Sequence, residues 1–153
     1  MKTLIVLRHA EHAEGQLTPG GITAFYQFFS NKVLPELKAA KSFALYCAPS
    51  ERTRFTADIV AQSITGASVK RTIAHQLDEA AADIEATISL LERTDAEVVI
   101  VVAHKAETRM LVLDLLEPML SAKKYSDLVR RIGGLEYCQA RVIDMKKKTV
   151  RTI

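Results

Sequence analysis

Leu4-Ile5-Val6-Leu7-Arg8-His9-Ala10-Glu11 joins an apolar run directly to a guanidinium and an imidazole. Four consecutive branched apolar residues read as a strand buried on both faces, the pattern of a parallel sheet. Charge at the mouth of such a strand is costly unless it has a partner. In open α/β sheets ligands bind outside the carboxyl ends of the strands. Arg8 and His9 therefore fall where a ligand docks, and the pair suits an anion.

The same run recurs along the chain. Phe43–Cys47, Val69–Ile73, Val98–Ala103 and Tyr137–Ile143 read as further strands, and the stretch Val98-Val99-Ile100-Val101-Val102 is apolar throughout. Helical patterns alternate with them. Thr18-Pro19 reads as an N-cap and first helical residue, followed by Ile22, Phe25, Phe28 and Phe29 at helical spacing; Pro35 ends or kinks that helix near Leu34. Ser50 caps a second helix with Phe55, Ile59 and Val60 on one face. A third runs from Asp78 to Leu91, a fourth from Ala106 to Pro118, and a short fifth from Lys124 to Ile132 ends at Gly133-Gly134. Leu135–Asp144 then forms a hairpin that returns through Lys146-Lys147-Lys148 to Val150. This alternation predicts a three-layer α/β/α sandwich with a mainly parallel central sheet, and a single domain over residues 1–153.

Composition narrows the function classes. The chain is 48% hydrophobic and 25% charged with a net charge of +3, and its charges are interspersed, which speaks against a nucleic-acid partner. No apolar stretch reaches the about 18 residues of a membrane span, and nothing resembles a signal peptide, so a cytoplasmic protein without a membrane partner is expected. Cys47 and Cys138 fall in expected strands and read as buried thiols. They form no metal-ligand spacing, so no metal or other cofactor is expected. No Gly-x-Gly-x-x-Gly follows the first strand and no Walker-type Gly-Lys-Ser/Thr occurs, which ranks a nucleotide-binding domain last.

Three strands end alike. The first ends at Arg8-His9, the second hands over to a helix whose first turn holds Arg52, and the fourth ends at His104 before another helix. In a parallel sheet these ends share one edge. Two arginines and two histidines then converge beside two helix N-termini, a set that repels itself until something negative binds. Phosphate matches it, because arginine forks fit its oxygens.

Those residues carry a resemblance. Arg8-His9-Ala10-Glu11, Leu17-Thr18-Pro19-Gly20-Gly21, Ser50-Glu51-Arg52-Thr53-Arg54-Phe55-Thr56-Ala57 and Val102-Ala103-His104, in that order, resemble the motifs of the histidine phosphatase (phosphoglycerate-mutase-like) superfamily. The short, insert-free chain is most similar to its SixA-type phosphohistidine phosphatase branch, and the resemblance spans roughly residues 1–115. It implies a metal-independent phosphatase in which His9 is the nucleophile, forming a covalent phosphohistidine that water then cleaves. Arg8, Arg52 and His104 would clamp the phosphate oxygens. Thr18 either caps its helix alone or also lies close to the pocket. Glu79, in Leu77-Asp78-Glu79, matches the position of the family's proton donor, or else is an acid favoured at a helix start. The implied partner is a phosphorylated substrate, a protein phosphohistidine first and a small phosphomonoester second. Oligomeric state stays open.

The chain also departs from the family. Ala10 and Lys105 stand where relatives commonly carry glycine. A methyl at residue 10 is costly if the backbone there needs positive φ. Lys105 adds charge at the rim or points to solvent. The departures motivate an alternative, a catalytically weak relative that binds phosphorylated proteins or metabolites without turnover. Glu11 can orient Arg8 or line the rim, Arg54 is expected on the surface, and His12 and His75 read as incidental.

Overall fold

The computed structural model describes residues 1–67 and 69–153. Its strands are β1 (Thr3–Arg8), β2 (His12–Ala13), β3 (Gln16–Leu17), β4 (Phe43–Cys47), β5 (Val69–Ile73), β6 (Val98–Ala103), β7 (Ala140–Asp144) and β8 (Thr149–Thr152). Its α-helices are α1 (Pro19–Phe28), α2 (Leu34–Leu37), α3 (Glu51–Ser63), α4 (Ile84–Glu92), α5 (Lys105–Leu116) and α6 (Ala122–Arg131).

Six strands form one sheet in the order β5-β4-β6-β1-β7-β8. The first four run parallel; β7 is antiparallel to β1 and β8 to β7. The period-2 alternation of strand side chains divides the core. Leu4, Val6, Tyr46, Val99 and Val101 pack on one face against Ile84, Leu91, Leu111 and Leu128 of α4, α5 and α6. Ile5, Leu7, Leu45, Ile100 and Val102 pack on the other against Phe25, Phe29, Leu37 and Val60 from α1 to α3. Every residue of β4 and β6 is buried. Each such large aliphatic side chain contributes about 1.5–3 kcal/mol on leaving water. The result is the expected α/β/α sandwich, and no helix of the described residues is long and apolar enough to cross a membrane.

Several local expectations are corrected. Of the two outcomes expected at Pro35, a stop and a kink near Leu34, the helical path shows a distortion and no stop. The chain loosens into a π turn over Phe29–Val33, where the Leu34 amide reaches back to Phe29, and then resumes as α2. The third helix starts at Ile84, not Asp78. The Asp78 carboxylate accepts from the Ala80 amide at 3.1 Å and makes a turn, whereas Asp83 accepts from Ala86 at 2.8 Å and caps α4. Ser50 occupies the N-cap position of α3, but its hydroxyl pairs with the Thr53 hydroxyl at 2.9 Å instead of a backbone amide. Phe55 is exposed; α3 buries Thr53, Thr56, Ala57 and Val60. The last long strand begins at Ala140, because Cys138 turns the chain with φ of 53° and lies half-buried outside the sheet.

Register aligns the strand ends. Arg8 pairs with Ala103 and Cys47 with Val102, so β4, β6 and β1 stop level with one another. Hydrogen bonds continue the sheet by one residue there, from His9 N to Ala103 O at 3.1 Å and from Ala48 N to Val102 O at 3.1 Å.

Candidate active site

His9 is buried at the exit of β1, 2% exposed. Its Nδ1 lies 2.8 Å from the Ala10 carbonyl. A carbonyl only accepts, so Nδ1 carries the proton and Nε2 keeps its lone pair. Burial pushes the His9 pKa down to about 3, with His104, Arg52 and His12 adding repulsion and the Ala10 carbonyl opposing. The ring is neutral near pH 7 and its Nε2 lone pair is free.

His104, at the N-cap of α5, lies edge-on to His9 with ring centroids 5.2 Å apart. The Arg52 guanidinium donates to its Nδ1 at 3.2 Å. This fixes the opposite tautomer, in which Nε2 bears the hydrogen and donates. Burial lowers the pKa of His104, against the pull of the Glu79 carboxylate. Two neighbouring imidazoles thus hold complementary roles, one a lone pair and the other a donor.

Arg52 stands in the first turn of α3, and Glu79 reaches it from the turn after β5 as an ion pair. Glu79 Oε2 is also 3.9 Å from His104 Nδ1. Arg8 stacks its guanidinium 3.8 Å over the Tyr137 ring and donates toward Leu135 O and the Glu136 carboxylate. Glu136 also pairs with Lys105. Each arginine therefore rests against one glutamate. The Nε atoms of both Arg8 and Arg52 are buried without a hydrogen-bond partner.

The frame under these groups is built from short polar contacts. The Thr56 hydroxyl accepts from Ala10 N at 2.9 Å and donates to Arg52 O at 2.7 Å, which ties the exit of β1 to the start of α3. Thr18 caps α1 by accepting from Gly21 N at 3.0 Å, and its own amide donates to Glu11 O at 3.1 Å. A Cβ at Gly21 would collide with the Glu11 carbonyl, so glycine permits that close approach. On the opposite side, Gly134 presses on α5; a Cβ there would lie 2.6 Å from Lys105 Cγ. Arg141 and Arg109 hold the Gly133 and Ile132 carbonyls, and Leu135 N donates to Thr108. This strap delivers Glu136 and Tyr137 to Arg8.

Sequence reasoning named Arg8, His9, Arg52, Glu79 and His104; the fold joins Arg52, Glu79 and His104 beside His9, and Arg8 reaches the same end of the sheet by stacking on Tyr137. Thr18 is engaged in its helix cap. Ala10 is fully buried and its φ is not positive, so the backbone there makes no demand for glycine. Arg54 and His75 are exposed. His12, read as incidental, places its ring 5.0 Å from that of His9. Tyr137, 5.8 Å from His9, was also missed, as was Glu107, 4% exposed in the first turn of α5 with a pKa raised by burial. Histidine three residues past His9 was the one available signal.

No family model matches the chain, and no curated protein does. Solved structures do. The protein histidine phosphatase SixA complexed with tungstate superposes with a TM-score of 0.67 at 15% identity, covering 99% of this chain and 94% of that one. A phosphoglycerate mutase from Plasmodium falciparum gives 0.64 at 17% identity, covering 99% and 87%. A mycobacterial glucosyl-3-phosphoglycerate phosphatase with inorganic phosphate gives 0.59 at 16%, covering 100% and 95%. The fold is therefore phosphoglycerate-mutase-like, with SixA among the proteins that share it nearly end to end.

Proposed function

We propose that this chain is a histidine phosphatase that hydrolyses phosphate from a phosphorylated substrate through a phosphohistidine on His9. One observation carries the reading: a neutral, buried His9 with a free Nε2 lies 5.2 Å from the His104 ring that Arg52 holds, and 5.8 Å from the Tyr137 ring on which Arg8 stacks. A nucleophile surrounded by donors suits phosphoryl transfer, where positioning and charge stabilisation do most of the work.

The reaction runs in two displacements. His9 Nε2 attacks phosphorus, the bond to the leaving group breaks, and Arg8, Arg52 and His104 take the developing charge on the non-bridging oxygens. Incoming phosphate claims Arg52 and frees Glu79. Glu79 is then placed as the general acid for the leaving atom, a step worth about 100- to 10,000-fold. Water then attacks phosphorus, returns a proton to Glu79, and releases inorganic phosphate and His9. A protein phosphohistidine is the favoured substrate, supported by the fold shared with SixA; a small phosphomonoester is second.

The test is p-nitrophenyl phosphate turnover. Hydrolysis that His9→Ala abolishes supports the enzyme. Phosphate binding without hydrolysis supports instead a binding protein, the reading that Ala10 and the Lys105–Glu136–Arg8 contacts motivate.

A further inference from the structure

His12 is the third imidazole at the site, and nothing in the mechanism above uses it. It opens β2, where its backbone pairs with Leu17. The loop before it is held by the Ala10–Thr56 and Glu11–Thr18 contacts, so the ring stands on a fixed frame. It tilts 57° to the His9 ring at 5.0 Å and lies edge-on to Tyr137 at 6.5 Å. Its Nδ1 is buried and has no hydrogen-bond partner in the protein.

That last fact separates it from its neighbours. His9 Nδ1 is satisfied by Ala10, and His104 Nδ1 by Arg52. Buried polar nitrogens are nearly always paired, and one left alone costs free energy. A partner for His12 Nδ1 has to come from outside the protein, from water or from a bound molecule. The surroundings select its charge: Arg8, Arg52 and the donor His104 disfavour a cation and favour an oxyanion. Hydrogen bonds of about 2.8–3.0 Å from each side let one tetrahedral anion bridge two rings at this separation.

We propose that His12 is a phosphate-binding residue, donating from Nδ1 to an oxygen of the phosphoryl group held at His9. This rests on the phosphatase reading. It adds a donor to the set of Arg8, Arg52 and His104 and approaches from the hairpin side, where the Tyr137 ring also stands.

The experiment measures inorganic phosphate binding by calorimetry to the wild-type chain, His12→Phe and His12→Asn, each at matched chloride. Phenylalanine keeps a ring against His9 and Tyr137 but removes the donor. Asparagine keeps an N–H near Nδ1 but removes the ring. Phosphate binding weakened by about 10- to 100-fold in His12→Phe, and within about threefold of wild type in His12→Asn, is expected. Binding within twofold of wild type in His12→Phe overturns the proposal and leaves a packing role. Should His12→Phe fail to fold, ring-nitrogen NMR of the wild-type chain decides: His12 Nδ1 must shift with the phosphate affinity that His9 reports, and an unmoved His12 overturns the proposal. Failure of the phosphatase reading is separate, since it shows in p-nitrophenyl phosphate turnover, as no hydrolysis by the wild-type chain or as turnover that survives His9→Ala.

Discussion

The neutral state of His9 has a measurable cost in acid. In the unfolded chain this histidine titrates near 6.5, whereas in the folded protein it titrates near 3. At about pH 5 the unfolded chain therefore binds a proton that the native chain refuses. Stability rises with pH wherever the unfolded state binds more protons, so acidification from about pH 7.5 destabilises the fold. Between 6.5 and 5 lie 1.5 units, and at 1.36 kcal/mol per unit the loss assigned to His9 is about 2 kcal/mol. The value holds for any native pKa well below 5. The perturbation is His9→Asn, which keeps polarity and removes the titration. Urea unfolding of both proteins at about pH 7.5 and about pH 5, in buffers without phosphate, gives the difference of differences. Wild type should lose about 2 kcal/mol more than the variant. A difference under about 0.5 kcal/mol would show that native His9 titrates normally, and the free Nε2 nucleophile at low pH would go with it. Added phosphate should shrink the wild-type loss, because a bound anion draws the native pKa upward.

Other parts of the site make their own predictions. Glu136 occupies Arg8 and Lys105, so Glu136→Gln should tighten phosphate binding severalfold in calorimetry; unchanged or weaker binding would mean the carboxylate does not compete. Thr56→Val leaves Ala10 N without its acceptor and should cost about 1–3 kcal/mol in urea unfolding, with kcat reduced as His9 loses its frame. Burial raises the Glu107 pKa, so its ionisation opposes folding above the usual carboxylate range. Glu107→Gln should therefore gain in Tm relative to wild type between about pH 4.5 and pH 8; an equal or falling difference would contradict the buried, unpaired carboxyl.

The parts of the fold that could be read from sequence were those where one pattern dominated. β4 and β6 lie where their apolar runs predicted, because a strand covered on both faces tolerates little else, and the β-branched Val69, Thr72 and Ile73 marked the half-exposed edge strand β5. Arg8, His9, Arg52 and His104 followed, since each sits at or just beyond a strand end and parallel pairing brings those ends level. The rest depended on competition between local signals. Asp78 and Asp83 are both plausible caps, and only the Asp78 side-chain turn at Ala80 decides that the helix waits for Ile84. His12 lies in a loop with no period, and its orientation depends on Thr18, Gly21 and Thr56, three positions scattered over the next 44 residues. Tyr137 looks like a strand residue until Cys138 turns the chain. Glu107 has the pattern of a dipole-favoured acid at a helix start, and packing of α4 against α5 buries it.

The central claim is that His9 carries the phosphoryl group, and the direct measurement is rapid quenching with p-nitrophenyl phosphate labelled at phosphorus, followed by peptide mapping. An acid-labile, base-stable label on the peptide containing His9, formed and discharged within one turnover and missing in His9→Ala, is the predicted result. Product release with no labelled protein at any time, or label on a residue other than His9, would contradict it.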